Sequence, residues 1–258
     1  MNALFERALL ARIEDAGLNA SAPAQQRWMD GWLVRFSPGT AKRARCINAL
    51  APGFLDLGQK LALCKAVVEE TGVPLCFRVT PFTQPAGLEN ELAAEGLEAF
   101  GETYVMVSTH LQCLAGLEPN VRVRATAPAA FAELVGGWRG SSAAERRAHA
   151  DRLLNLPVEC RAFVLTDGQD RALACGQFTR EAEIVGLYDV FTEPGVRGRG
   201  HARTLCRYLL DTARSQGASV AYLQVEAANA PARQLYAGLG FELAYTYHYR
   251  ARLPAAPV

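Results

Sequence analysis

The spacing of hydrophobic positions switches along the chain between a helical and a strand period, which predicts an α/β protein. Apolar residues three and four apart predict helices over 3–16, 57–70, 88–94, 128–136 and 141–154, with Gly17 ending the first. Alternating or continuous apolar runs predict strands over 31–36, 43–49, 75–79, 100–109, 121–125, 160–166, 172–179 and 182–192. A helix from Ala202, a strand over 223–226, a helix from Pro231 and a strand over 241–249 complete the predicted elements.

Prolines and glycines separate the predicted elements in the same order in the second part of the chain as in the first. Both parts follow the order strand, proline-glycine turn, helix, glycine, strand, proline, short helix, glycine, strand. We therefore expect two halves, residues 1–117 and 118–258, joined by a linker over 115–120. The alternative is that any α/β chain of this size shows such an echo. These prolines and glycines are Pro52, Gly53, Gly72, Pro85 and Gly96 in the first part, and Pro194, Gly195, Gly217, Pro231 and Gly240 in the second.

A glycine-rich turn over 193–202 lies between an apolar strand and an amphipathic helix. Gly198 and Gly200 let the backbone approach a ligand, and the free N–H groups of the first helical turn favour an anion such as pyrophosphate. The third glycine of a dinucleotide-binding fold is missing, and no Gly-Lys-Ser/Thr of a P-loop follows. The alternative is a glycine-rich connection without a ligand. Three arginines lie within one turn of the same place: Arg197, Arg199 and Arg203.

A second motif follows one strand later. Asn229 can cap the next helix, which carries Leu-Tyr at Tyr236 and ends in Gly-Phe at Phe241. Together with the Arg-x-x-Gly-x-Ala spacing over 197–202, this motif resembles the GNAT N-acetyltransferases. The resemblance covers roughly residues 118–258. The first half, with apolar residues and an acid over 54–58, is similar to a degenerate GNAT copy that does not bind CoA.

The resemblance implies a mixed α/β fold of the GNAT type, in two tandem GNAT-like halves. It also implies acetyl-CoA as co-substrate, a primary amine on a small molecule or a protein as acceptor, and no metal. Backbone groups at the end of the strand before the turn would hold the pantetheine arm. The implied cofactor-binding residues are Val190, Phe191, Thr192, Arg197, Gly198, Arg199, Gly200, His201, Ala202, Arg203 and Asn229.

Three residues are candidates for catalysis. Tyr236 matches the family tyrosine near the CoA sulfur, and a phenol is protonated at neutral pH and can donate to a thiolate. Packing on the sheet is its alternative role. The resemblance to N-terminal protein acetyltransferases implies a glutamate twelve residues before Tyr236, but this position holds Gln224, which cannot take a proton. The base is therefore open between Glu226 and Asp189. Of the two carboxylates, Glu226 is the candidate base and Asp189 the candidate contact for the amine. The structural alternative for Glu226 is an exposed charge at the end of the strand. The structural alternative for Asp189 is a charge that caps backbone groups.

Composition narrows the class of protein. The formal net charge is +1 and no basic run stands out, which argues against a nucleic-acid partner. No apolar run approaches the roughly 20 residues needed to span a bilayer. Seven dispersed cysteines without a Cys-x-x-Cys pair argue for a reducing, cytoplasmic setting and against a zinc site. The charged first turns predict an amphipathic helix and no signal peptide.

We therefore expect a cytoplasmic, acetyl-CoA-dependent N-acetyltransferase, and a homodimer is compatible with the sequence. The rival hypothesis is a non-catalytic acyl-CoA-binding regulatory module, which the missing carboxylate at Gln224 favours and Tyr236 with Asn229 disfavours. The residues leave the acceptor amine and the acyl-chain preference undecided.

Overall fold

The computed structural model describes residues 2, 4–37, 41–111 and 120–252. Within them the helices are α1 Arg7–Asn19, α2 Leu57–Thr71, α3 Leu88–Ala94, α4 Pro128–Arg139, α5 Ala143–Leu154, α6 His201–Ser215 and α7 Ala230–Ala237. The strands are β1 Gln25–Met29, β2 Trp32–Phe36, β3 Ile47–Ala49, β4 Cys76–Val79, β5 Glu98–Ser108, β6 Val121–Thr126, β7 Glu159–Asp167, β8 Ala172–Glu181, β9 Ile184–Thr192, β10 Val220–Glu226 and β11 Glu242–Ala251. Two short 3-10 turns cover Lys42–Ala44 and Pro194–Val196.

All the strands join one mixed sheet in the order β1-β2-β3-β4-β11-β5-β10-β9-β8-β7-β6. This confirms the predicted α/β fold. We name the elements through β5 the N-terminal half and those from β6 the C-terminal half. The predicted boundary between residues 117 and 118, and most of the predicted linker, lie outside the described residues.

The two halves follow the same order of elements. In the N-terminal half, β3 pairs in parallel with β4 across α2, and α3 then leads into β5. In the C-terminal half, β9 pairs in parallel with β10 across α6, and α7 then leads into β11. A parallel pair needs a crossover of this kind, and a helix supplies it in both halves.

The final strands of the two halves are exchanged. Strand β5 pairs antiparallel with β10 of the other half, and β11 pairs antiparallel with β4 of the other half. β5 and β11 also pair with each other at the centre of the sheet. Each half therefore completes the sheet of the other.

A buried ion pair lies beside the exchanged strand β11. Arg78 on β4 donates two hydrogen bonds to Glu14 on α1, and the hydroxyl of Tyr245 on β11 donates a third at 2.7 Å. Burial raises the pKa of Glu14, but the charge and hydrogen bond of Arg78 outweigh it and lower the pKa below its ordinary value. Helix α1 is thereby tied to both halves.

Helices cover both faces of the sheet, and strand residues alternate between them. On β7, Phe163 and Leu165 pack in the core beneath α6, whereas Ala162 and Val164 pack in the core beneath α4 and α5. The amphipathic pattern of α6 follows from its one-sided contact, with Leu205 and its neighbours fully buried. A third core, around Trp32 and Phe77, lies beneath α2 and α3.

Three local predictions were wrong. Helix α1 continues through Gly17 to Asn19. The strand predicted over 43–49 is a 3-10 turn at Lys42–Ala44 followed by the short β3. Strand β1 was missed because its residues are almost all exposed and show no alternation.

Candidate active site

The turn before α6 presents an open helix N-terminus. Gly198 and Gly200 adopt positive φ angles of 77° and 84°, where a side chain would be strained. Gly200 is the N-cap of α6, and no side chain caps the helix. A Cβ at either glycine would meet no atom within 4 Å. The first N–H groups of α6 therefore face a space that a ligand can occupy, and they favour an anion.

The arginines of the turn are positioned differently. Arg203 Nη1 donates to the carbonyl of Gly238 at 3.1 Å, which joins α6 to the end of α7. Arg197 lies over the ring of Phe191, with 5.1 Å from its Cζ to the ring centroid. Arg199 is exposed. Exposed cations around an uncapped helix N-terminus fit a pyrophosphate, so these residues would hold the diphosphate of CoA.

Strands β9 and β10 separate next to this turn. Their parallel register runs from Ile184 with Val220 to Leu187 with Leu223, and both strands continue beyond it. On its other side β9 has a bulge, because two residues, Asp189 and Val190, lie opposite one residue of β8. The bulge and the separation thus lie at the same end of β9. The edge of β9 over 190–192 is left facing the gap, as holding an extended ligand arm by backbone groups requires.

A cavity of about 420 Å³ lies near this gap, at the junction of the two halves. The C-terminal half contributes α4, α5 and strands β8 to β11, and the N-terminal half contributes the 3-10 turn, the end of α1 and β5. Asp189 and Glu226 both line it, whereas Tyr236 is not among the lining residues. The polar lining residues used below are Lys42, Arg43, Arg139, Glu145, Arg146, His149, Arg152, Gln177, Asp189, Gln224, Glu226 and Tyr247.

Asp189 is a tightly held carboxylate at a φ of 49°. Arg139 Nη1 donates to its Oδ1 and Gln177 Nε2 to its Oδ2, both at 2.8 Å, and His149 Nε2 lies 3.2 Å from Oδ2. Burial raises the pKa of Asp189, but the contact with His149 and the charges of Arg139 and Arg152 outweigh it and hold the pKa well below its ordinary value. A carboxylate that stays ionised is a weak proton acceptor.

Gln224, twelve residues before Tyr236, lines the cavity from β10. Its Oε1 accepts hydrogen bonds from Arg43 Nη1 at 2.7 Å and from the hydroxyl of Tyr247 at 2.9 Å. A Cβ at Gly17 would lie 2.8 Å from Gln224 Nε2, so the glycine inside α1 makes room for this side chain. Glu226, two residues further along β10, is exposed and lies on the same face of the strand. Of Gln224 and Glu226, the residue that carries a carboxylate, Glu226, therefore lies at the rim of the cavity.

Tyr236 and Asn229 lie on α7, outside the cavity lining. Tyr236 is 9% exposed and packs edge-on against Phe241, with ring centroids 6.0 Å apart. Burial raises the pKa of Tyr236 well above its ordinary value, so the phenol stays protonated at neutral pH. The Asn229 side chain accepts a hydrogen bond from the N–H of Ala232 at 3.2 Å, which makes it the cap of α7. Its predicted contact with the cofactor stays a prediction.

The sequence did not reveal the cavity residues from other elements. Arg139, His149 and Arg152 come from α4 and α5, and the spacing of His149 and Arg152, three apart on one helix, was an available signal for a shared face. Arg43 comes from the other half, and no local pattern places it there. Across the described ranges, no three histidine, cysteine or acidic side chains are close enough to hold a metal ion.

Comparisons with known proteins identify the class. Residues 130–241 match the Acetyltransferase (GNAT) family. The chain is 25% identical over 242 residues to YobR, an uncharacterized N-acetyltransferase of Bacillus subtilis, covering 90% of this chain and 95% of the relative. The family match and this relative together support the GNAT superfamily of N-acetyltransferases.

Solved structures show the same fold. A GCN5-related N-acetyltransferase from Kribbella flavida superposes with a TM-score of 0.70 at 17% identity, over 93% of this chain and 94% of that one. A tandem GNAT protein from the clavulanic acid biosynthesis pathway superposes with a TM-score of 0.60 at 13% identity, over 77% and 70%. No helix of the residues described here has the length and apolar content to cross a membrane.

Proposed function

We propose that this protein transfers an acetyl group from acetyl-CoA to a primary amine, with one active site, in the C-terminal half. The observation that carries the proposal is the uncapped N-terminus of α6 beside the separating strands β9 and β10. Pyrophosphate would bind at residues 197–203, and the pantetheine arm would run along 190–192 toward the cavity. The thioester supplies the activated acetyl group.

Three side chains bind the amine and transfer the protons. Glu226, exposed at the rim, accepts the proton of the ammonium, directly or through a water molecule. Asp189, held ionised by its neighbours, attracts the positive charge of the incoming amine. Tyr236, kept protonated by burial, donates to the departing thiolate. The match to the Acetyltransferase (GNAT) family supports acetyl transfer, and the three individual roles are part of our proposal.

A panel of amines tests the function. Purified protein is incubated with acetyl-CoA and each amine, and free thiol is measured over time. Thiol release that depends on the amine, with a matching acetylated product by mass spectrometry, is the expected result. Tight CoA binding with no amine-dependent release would favour the non-catalytic acyl-CoA-binding module instead.

A further inference from the structure

The cavity carries more positive than negative charge. Its cationic lining residues are Lys42, Arg43, Arg139, Arg146 and Arg152, and its carboxylates are Glu145, Asp189 and Glu226. A basic excess is unexpected for a site that must take up an amine, because like charges repel.

Two of the cations are already neutralised by partners. Arg139 pairs with Asp189 at 2.8 Å, and Arg146 Nε pairs with Glu133 at 2.8 Å. Of the other three, Lys42 is exposed and its Nζ lies over the rings of Phe100 and Tyr249, so Arg43 and Arg152 remain to be explained.

Arg43 has no carboxylate ion-pair partner within the described part of the chain, and the carboxylate that interacts with Arg152 is Asp189, which is already paired with Arg139. The guanidinium of Arg43 donates a hydrogen bond to the neutral amide oxygen of Gln224, hydrogen-bonds with Tyr247 and lies 5.7 Å from the ring centroid of Tyr188. Arg152 shares Asp189 with Arg139 and His149, and the side chains of Arg43 and Arg152 are only partly exposed. A guanidinium has five donors and stays charged, so a partly buried one without a counter-charge favours an anionic ligand.

The position of Arg43 relates this anion to the amine. Arg43 contacts Gln224, and Glu226 lies two residues along the same face of β10, which is roughly 7 Å. A molecule with an anionic group at Arg43 could therefore place an amine near Glu226.

Building on the proposed acetyl transfer, we propose that the acceptor is an amine that also carries an anionic group, a carboxylate or a phosphate, bound by Arg43 with Arg152. Arg43 belongs to the N-terminal half, which would thus contribute to acceptor recognition although it does not bind CoA. A bidentate contact from a guanidinium suits either anion.

Matched acceptors test this inference. The pair 4-aminobutyrate and butylamine probes a carboxylate, and the pair O-phosphoethanolamine and ethanolamine probes a phosphate. Thiol release gives kcat/KM for each. In wild type the anionic member of one pair should be preferred about tenfold to a hundredfold, the range expected for hydrogen bonds to a charged group. The preferred pair tells the carboxylate from the phosphate.

Variants assign the preference to the arginines. Arg43→Gln should reduce the rate with the anionic amine more than with the neutral one, and Arg152→Gln should do so to a smaller extent. Arg27→Gln removes an exposed arginine paired with Glu70 and should keep the wild-type preference. If Arg43→Gln does not fold, Arg152→Gln decides. Equal use of both members by wild type, or a preference that survives loss of both arginines, would overturn the inference.

A binding measurement separates this inference from the proposed function. The melting temperature of wild type and of both variants is measured with each of the four amines, without acetyl-CoA. Stabilisation by an anionic amine in wild type alone supports the anion site even if no amine is acetylated. Acetylation of neutral amines without any such discrimination would support the function and reject the anion site.

Discussion

Helices α2 and α6 occupy equivalent places in the two halves, yet their N-termini are opposite in character. Each is 15 residues long and crosses between parallel strands. The N-cap of α2 is Asp56, whose side chain accepts from the N–H of Gln59, and the Gln59 side chain accepts in return from the N–H of Asp56. The N-cap of α6 is Gly200, with no capping side chain.

The turn before α2 is also occupied by the protein itself. The Asp30 carboxylate accepts hydrogen bonds from the N–H groups of Phe54 and Leu55 at 2.8 to 2.9 Å, and it pairs with the buried Lys60 at 3.1 Å. Two carboxylates of the chain thus take the place that an anionic ligand would have. The comparison teaches that a helix N-terminus binds a ligand only where the protein leaves its N–H groups free.

The largest effect, on CoA binding, is expected from a substitution that blocks the open N-terminus of α6. Gly200→Glu would set a carboxylate against the pyrophosphate at a left-handed backbone position. It should abolish CoA binding in calorimetry, and wild type should show one site per chain. Gly217→Glu is the matched control, because Gly217, at the other end of α6, has a φ of 97° and open space around its Cβ. Two sites per chain, or intact affinity in Gly200→Glu, would contradict the comparison.

The acid proposed for the C-terminal half, Tyr236, has no equivalent in the N-terminal half. Counted back four residues from Gly240 and from Gly96, Tyr236 corresponds to the fully buried Leu92. Tyr236→Phe should lower kcat about 10²- to 10⁴-fold while CoA affinity is kept, because only the donated proton is lost. Tyr208→Phe, on α6, is the control for removing a hydroxyl. An unchanged kcat would assign Tyr236 to packing.

The proposed base is likewise specific to one half. Nine residues after Gly217 and Gly72 stand Glu226 and Pro81. Glu226→Gln should lower kcat/KM about 100-fold, the low end for a general base, and remove the acidic limb of its pH profile. Asp189→Asn should mainly raise the KM for the amine and keep that limb, with Glu242→Gln as the exposed control. A pH profile that neither substitution alters would exclude both as the base.

The smallest effect, on thermal stability, is expected from a substitution in the turn before α2, whose N–H groups are occupied by Asp30. The hydrogen bonds from Leu55 and Phe54 lower the pKa of Asp30 below its ordinary value. A lowered pKa contributes stability that is present above about pH 4, the pKa in the unfolded chain, and is lost as the pH falls below it. Asp30→Asn should therefore lower the melting temperature by several degrees at pH 7, and the difference from wild type should shrink on acidification.

The control for this measurement keeps the backbone conformation. Asp170→Asn changes another aspartate with a positive φ, of 58°, in the turn between β7 and β8. It should leave the melting temperature near that of wild type at every pH. An equal loss of stability in both variants would mean that Asp30 contributes through its backbone conformation and not through its carboxylate.

Local features were predictable from the sequence. The bounds of α3 agree with the prediction, and α2 differs by one residue, because glycine stops and apolar spacing are encoded within each element. The turn over 197–203 was predictable for the same reason, since its glycines are required by its own backbone.

Long-range features were not predictable. The position of Arg43 beside Gln224 joins residues 181 apart in the chain, and no period in the sequence records that contact. The exchange of β5 and β11 is hidden in the same way, because a strand pattern predicts a strand but not its neighbour. The sequence therefore indicated the turn proposed to bind CoA but not the basic lining of the cavity.

The exchanged strands impose an order on the formation of the protein. Strand β5 has no partner within its own half, since its neighbours in the sheet are β10 and β11. While the chain is synthesised, β5 must wait for about 150 further residues, roughly ten to thirty seconds at ordinary rates of translation, before its partners exist. Until then it presents two open hydrogen-bonding edges, which other chains can join. The sheet closes only when Glu242–Ala251 enters between β4 and β5, so the nascent N-terminal half exposes these edges until synthesis is almost finished.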